Sequence, residues 1–245
     1  MTSPIELEST EIPEILFQDE SILVLFKPSK WFVHPPEDKR HRRGLKRKTC
    51  VQWLMDFHEI KANPVHRIDV GTEGVLIFAK TKSAAQHLNL QFKNHTVVKT
   101  YHAVVRGWFK EPNGVIDLAL ELDSTKELAE CHTNYKTLAT IEKDFSINPK
   151  FLTSRYSLLE VKPETGRWHQ IRRHMNRVSH PLIGDSEHGD LRHNRYFREI
   201  LFIDGLCLRA SEITFVHPEN LSLVTFKTPQ TEKWKNLETI FQHSV

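Results

Sequence analysis

The hydrophobic period of the chain changes several times, and those changes divide it into elements. Residues 15–27, ILFQDESILVLFK, predict two short strands around the turn formers Asp19, Glu20 and Ser21, with Pro28 ending the second. Thr49 and Gln52 have capping-box spacing, and Val51, Leu54 and Met55 give one apolar helical face to about Ile60. The wholly apolar run Val75–Ala79 predicts a buried strand to Lys80, and Ser83 as N-cap then opens a helix with Ala85, Leu88 and Phe92 on one side. Strand alternation follows in 99–107, where Tyr101, Ala103 and Val105 share a face, and again in 115–120, 135–142 and 156–161. Ile171, Met175 and Val178 mark an amphipathic helix, 185–198 reads as a polar loop, and 212–228 reads as a hairpin turning at His217–Asn220. A last helix presents Trp234, Leu237 and Phe241 as its stripe. These elements predict a large, largely antiparallel sheet with flanking helices.

Composition narrows the class. With 245 residues and 39% hydrophobic content the chain can bury a large core, and without a repeat or low-complexity linker one continuous domain is expected. The opening segment is acidic and has no apolar stretch of signal type, and runs such as Ile22–Phe26 are too short to span a bilayer, so a cytoplasmic protein with no membrane partner is expected. The three cysteines are far apart and suggest neither a disulfide framework nor a thiolate metal site. A net charge of +3 conceals its distribution: residues 1–20 carry six acids and no base, and 39–48, KRHRRGLKRK, has seven Lys or Arg in ten positions. Those seven are Lys39, Arg40, Arg42, Arg43, Lys46, Arg47 and Lys48. A second concentration, Arg167, Arg172, Arg173 and Arg177, accompanies the helix near 171. The two clusters point to a polyanion, and the scarcity of large apolar residues among the bases favours nucleic acid over lipid.

The stretch that concentrates chemistry is PVHRIDVGTEGVLIFAK, residues 64–80. It sets His66 and Arg67, read as a cation pair, and the acid Asp69 on a short loop that a buried strand follows at once. The plainer alternative is that Asp69 and Thr72 only tie the turn by bonding to nearby amides, with glycine at positive φ. Tyr101 either faces the same place as Asp69 or is a cross-strand packing residue. Arg172 sits at the margin of an apolar helix face, where it needs a carboxylate partner or must extend to solvent. Asp185, His188, Asp190 and His193 raise a metal question, but their spacing matches no strong metal motif.

The stretches FKPSKWFVH, HRIDVGTEGVLIFAK, KTYHAVVRG, ETGRWHQIRRHM and HPLIGD resemble the RluA-type family of RNA pseudouridine synthases, over residues from about 15 to 218. Beside the key loop the family usually reads HRLDRxTSG, where this chain has Ile68, Val70 and Glu73. YHAVVRGW, RRHM, GDSEHGDLRHNR and LRASEITFVHP resemble most the branch of that family that acts on tRNA. The resemblance implies an α+β fold with a mixed, mainly antiparallel sheet of two lobes and a central cleft. It implies one catalytic domain over 1–245, with an acidic tail to about 14, a basic loop at about 36–48 that binds RNA, and no separate N-terminal RNA-binding module. It makes Asp69 the catalytic acid, Tyr101 the ring that stacks on the target base, Arg172 the partner of Asp69, and Arg67 the side chain that enters the vacated helix. The activity implied is isomerisation of a tRNA uridine, at position 65 in the T-arm stem, by a monomer with no metal, no cofactor and no obligate protein partner. A synthase acting on ribosomal RNA, an RNA-binding protein without catalysis, and a metal hydrolase using His188 and His193 are the alternatives.

Overall fold

The computed structural model describes residues 11–35, 49–122, 124–147 and 151–242. The basic run 39–48, and the acidic tail up to residue 10, lie outside the described residues. In chain order the elements are β1 (Glu14–Gln18), β2 (Ile22–Lys27), α1 (Cys50–His58), β3 (Asn63–Pro64), β4 (Glu73–Ala79), α2 (Lys82–Lys93), β5 (Val98–Arg106), β6 (Asn113–Asp117) and β7 (Leu120–Glu121). They continue with β8 (Leu128–Ala129), β9 (His132–Lys143), β10 (Ser154–Pro163), α3 (Gln170–Arg177), α4 (Leu191–Glu199), β11 (Leu208–Val216), β12 (Leu223–Lys227) and α5 (Glu232–Gln242).

Among the described residues ten strands form one sheet in the order β1-β2-β4-β11-β5-β10-β9-β6, with β3 beside β4 and β12 beside β11; β7 and β8 form a small ladder of their own. Its ladders are antiparallel except β4 with β11, which run parallel and pair only Glu73 with Arg209 and Gly74 with Ala210. That short ladder joins the two halves of the sheet. Gly74 has φ +137°, and a Cβ there would lie 2.3 Å from the Ala210 carbonyl oxygen, so only glycine lets the strands approach so closely. On one half, Leu23, Leu25, Leu76 and Phe78 face Trp53 and Leu54 of α1, while Ile22, Val24, Val75 and Ile77 face Ala84 and Leu88 of α2. Because both faces are covered, β2 and β4 are continuous apolar runs and do not alternate. On the other half, Ala103, Val105 and Leu159 meet Ile171 and Met175 of α3, and Val104 and Tyr156 meet Phe197 of α4 and Trp234 and Leu237 of α5.

Two expectations about elements need correction. The second helix is capped by Thr81, whose hydroxyl accepts from the Ala84 amide, so Ser83 lies within the first turn. Much of 185–198, expected as loop, lies in α4, which Asp190 caps with a carboxylate that accepts from the Arg192 amide. The face of α4 turned to the core is partly polar: His193 is buried beside Phe197 and pairs with the Tyr156 hydroxyl at 2.9 Å, so no apolar period reveals the helix.

Candidate active site

The loop 66–72 leads into β4 at the junction of the two sheet halves, and its own main chain is clamped from below. Lys27, fully buried, donates from Nζ to the carbonyls of Pro28, Trp31 and Val70, while Lys30 N donates to Val70 O and Ser29 Oγ to Gly71 O. Burial pushes the Lys27 ammonium down to about 8, which its carbonyl cradle tolerates. The turn is tied by a main-chain bond, Thr72 N to Asp69 O at 3.0 Å. The Asp69 carboxylate is therefore not the turn's fastening, and it projects toward Arg172 with Nη1 to Oδ2 at 3.4 Å.

His66 is not a cation. Its Nε2 accepts from the Ile77 amide at 3.0 Å, its ring stacks on Phe92 at 4.8 Å, and burial together with nearby Lys99 pushes it down to about 3. The cations of this region are Arg67, which is exposed, and Lys99, whose Nζ donates to Thr165 O and which burial lowers to about 8. Glu73, one of the departures from the family pattern, turns away from the loop: it is buried, accepts from Trp234 Nε1 and pairs with Lys233 at 2.8 Å.

Arg172 is positioned by an α3 entry that its neighbours hold in place. Gln170, buried at the start of the helix, accepts from Thr165 Oγ1 and Arg167 N and donates to His132 O and Thr133 Oγ1. His169 precedes it in the left-handed region at φ 50°, a conformation that non-glycine residues adopt sparingly. Arg172, 5% exposed, meets a carboxylate as its position demands, but the principal one is Asp185: Nε to Oδ2 is 2.7 Å and Nη2 to Oδ1 is 2.8 Å, a bidentate pair. Nη2 also reaches Glu187 at 3.3 Å, and Nη1 donates to His169 Nε2 at 2.6 Å as well as to Asp69.

The two acids respond differently. Burial raises the Asp69 carboxyl above its usual range, and Arg172, Arg67 and Lys27 oppose without cancelling it. Burial also works to raise Asp185, but Arg172 and the amides of His188 and Glu187 outweigh it and hold that carboxyl low. Asp185 thus anchors the guanidinium, and Asp69, with a side chain still 24% exposed, shares its remaining edge. Of the other arginines of that cluster, Arg167 is exposed and lines the cavity beside Asp69, while Arg173 and Arg177 donate to the carbonyls of Glu121 and Ala119.

Tyr101 comes from β5, opposite Ala210 in the ladder, and Ala210 is also the partner of Gly74. This register brings Tyr101 beside the Asp69 loop. A cavity of about 380 Å³ is lined by Asp69, Tyr101, Arg67 and Arg172 together with Lys99 and His169. Burial first and Asp69 second raise the Tyr101 phenol, so its ring stays neutral. Lys27 and His169 were not singled out as site residues from the sequence, and Asp185 was named there only as a possible metal ligand, although each lies in a stretch that carries the family resemblance.

Among the described residues, His169, Glu187 and His188 bring possible metal-ligand atoms within 4.8 Å of one another. Arg172 donates to His169 Nε2, so the neutral ring carries its proton on Nδ1, facing His188 Nε2 at 3.1 Å. That proton occupies the nitrogen a shared ion would need, and the donor set does not fit a metal as it stands. Asp190 and His193, the other half of the metal question, are the cap and the buried face of α4.

Among the described residues no helix is long and apolar enough to cross a membrane. A family model described as RNA pseudouridylate synthase matches residues 21–177, which include Asp69, Tyr101 and Arg172. The chain is 40% identical to tRNA pseudouridine synthase C of Vibrio parahaemolyticus over 98% of its length and 97% of the relative's, and 40% identical to the protein of that name from Yersinia pestis over 93% and 90%. The fold is that of the human RNA pseudouridylate synthase domain containing 1, with a TM-score of 0.67, 21% identity and 98% of each chain covered. A single carboxylate, an aromatic ring and a guanidinium meet in one cavity of a chain so related along its whole length, and the chain accordingly belongs to the RNA pseudouridylate synthase family, isomerases that turn uridine in RNA into pseudouridine.

Proposed function

We propose that this enzyme converts a uridine of tRNA to pseudouridine, at position 65 in the T-arm stem, with Asp69 as the catalytic residue. The observation that carries the roles is the convergence of Asp69, Tyr101, Arg172 and Arg67 on one cavity, and the tRNA assignment is supported by the names of the relatives matched along nearly the whole chain. The isomerisation breaks the bond from uracil N1 to C1′, turns the base, and joins C5 to C1′; the C5 proton is lost and N1 gains one. Atoms balance within the substrate, so no oxidant, no metal and no second carboxylate is required. Asp69 starts the sequence by attacking the sugar or by drawing a proton from it, and either step needs the carboxylate ionised. Arg172 keeps enough negative charge on Asp69 for this in a partly dry site, and its bidentate grip on Asp185 fixes where that help is delivered.

Reaching the cavity requires the uridine to leave its stack, at a cost of a few kcal/mol. Tyr101 stacks on the extruded base, and exposed Arg67 fills the space it leaves; stacking of this kind is worth about 1–3 kcal/mol. We further propose that it acts as a monomer in the cytoplasm. Incubation with unmodified tRNA transcripts and, separately, with ribosomal RNA, followed by mapping at nucleotide resolution, tests the assignment. Pseudouridine at position 65 of tRNA is expected; modification of rRNA alone, or of a tRNA loop, would overturn the substrate assignment.

A further inference from the structure

Past Asp69 the cavity continues into a second and larger cleft of about 1000 Å³, and Arg67, Asp69, His169 and Arg172 stand in the walls of both. Its far wall is α4. Arg195 and Arg198 line it, both exposed and spaced i, i+3, so that their stems leave the helix about 5–6 Å apart, a step suited to neighbouring phosphates of one strand. Their partner is the surface acid Glu199, at 3.9 Å and 2.9 Å, and exposed pairs of this kind are weak, screened by salt and open to exchange for a phosphate. Trp168, 43% exposed for all its apolar area, lines the same cleft as Asp69 and α4. The indole is stacked on His169, 3.8 Å away with the planes 20° apart, and the Arg173 guanidinium lies over the ring 5.9 Å from its centroid, a loose contact that a base can displace. The helix itself is held in register with the site. Asn194 accepts from the Gly184 amide and donates to the carbonyl of Asp185, the residue whose carboxylate carries Arg172.

We propose that this cleft seats the RNA strand next to the target: Arg195 and Arg198 bind successive phosphodiesters, and Trp168 stacks on the base beside the one that is extruded. A strand passing from α4 over Trp168 delivers the target nucleotide to the mouth of the smaller cavity, where Asp69 and Tyr101 stand. The inference rests on the proposed flipping of an RNA uridine into that cavity and adds the path by which the strand arrives. Phosphate contacts position without reading sequence, so the arginines set the register of the strand while the base stack is indifferent to base identity.

The test compares wild type with Arg195→Ala/Arg198→Ala, Trp168→Ala and Trp168→Phe, measuring binding of an unmodified tRNA transcript across a salt series together with kcat and KM. The double variant is expected to flatten the plot of log affinity against log salt by about 0.7–0.9 per lost phosphate contact and to raise KM at least tenfold, with kcat at saturating RNA within about twofold. Trp168→Ala should weaken binding without changing the salt slope, and Trp168→Phe should restore most of the loss. Arg192→Ala, on the same helix but lining a different cavity, should leave the slope unchanged. A double variant with the slope and KM of wild type overturns the inference, and so does an equal loss of slope in Arg192→Ala, which would mark a diffuse charge effect. Should the wild type leave tRNA unmodified, the tRNA assignment falls, and the same slopes measured on the RNA it does modify still decide the role of α4.

Discussion

Asp69 and Asp185 lie on two sides of one guanidinium, and opposite consequences of pH follow for them. The carboxyl of Asp69 is raised in the folded state, so its ionisation costs stability at neutral pH, and that cost disappears as pH falls through the folded value. Asp69→Asn should therefore abolish pseudouridine formation while making the protein more stable at pH 7, by up to about 1 kcal/mol, a gain that thermal unfolding would show vanishing in acid. Arg172→Met removes an influence that lowers Asp69, so the acid limb of kcat/KM should move to higher pH and the rate should recover as pH rises; an unchanged profile would separate the two groups. For Asp185 the sign reverses. Its carboxyl is held low, so its contribution to stability is present above the unfolded value and lost as pH falls through the folded one. Asp185→Asn should cost about 3 kcal/mol in urea unfolding and lower kcat more than it raises KM, because Arg172 loses its anchor and not its charge. The residue pattern left Asp69 and Arg172 with plainer readings, a turn fastening and a solvent-facing cation, and it was the family resemblance that gave them their roles. Asp185 was read only as a possible metal ligand, because its pairing with a residue 13 positions earlier leaves no periodic trace.

At the scale of elements, burial decided what could be foreseen. Continuous apolar runs and 3.6-residue stripes identified β2, β4, α3 and α5 from spacing, and the Thr49 cap of α1 was visible because its hydroxyl does accept from Gln52 N, at 3.1 Å. The α4 helix escaped because hydrogen bonds, and not apolar area, satisfy much of its inner face. His66 was misjudged as a cation for a related reason: a sequence shows a titratable ring but not the amide bonded to it. The junction of β4 with β11 rests on two residue pairs, and Gly74→Ala should be felt there disproportionately. The added methyl meets the Ala210 carbonyl and an unfavourable φ together, and a loss of at least about 2 kcal/mol in denaturant unfolding is expected. Lys27→Met tests the clamp below the loop. The Val70 carbonyl would keep only the Lys30 amide, the Pro28 and Trp31 carbonyls would lose the ammonium, and turnover should fall while RNA affinity stays within a few-fold of wild type.

For the molecule as a whole, the basic charge falls in two places with different consequences. Residues 39–48 lie outside the described residues, and their part in binding is argued from composition: neutralising Lys39, Arg40, Arg42 and Arg43 should reduce the salt slope of RNA binding by up to about 0.7–0.9 per lost phosphate contact and leave turnover at saturating RNA intact. A metal has no assigned task in the isomerisation as proposed. Treatment with EDTA should therefore leave the rate unchanged on RNA whose own folding does not need magnesium, and a loss restored by a divalent ion would place that ion in the chemistry.

The clasp of Glu73 by Lys233 and Trp234 bears on how the enzyme comes into being on the ribosome. Glu73 begins the strand that carries the Asp69 loop, yet its partners are synthesised about 160 residues later. Until they emerge, the carboxylate has no indole and no ammonium to meet it, and burial would leave it uncompensated. The last step of folding at this junction is therefore expected to be the docking of α5, and a chain ending before Lys233 should hold the Asp69 loop less firmly than the full one, as hydrogen exchange of that loop would show.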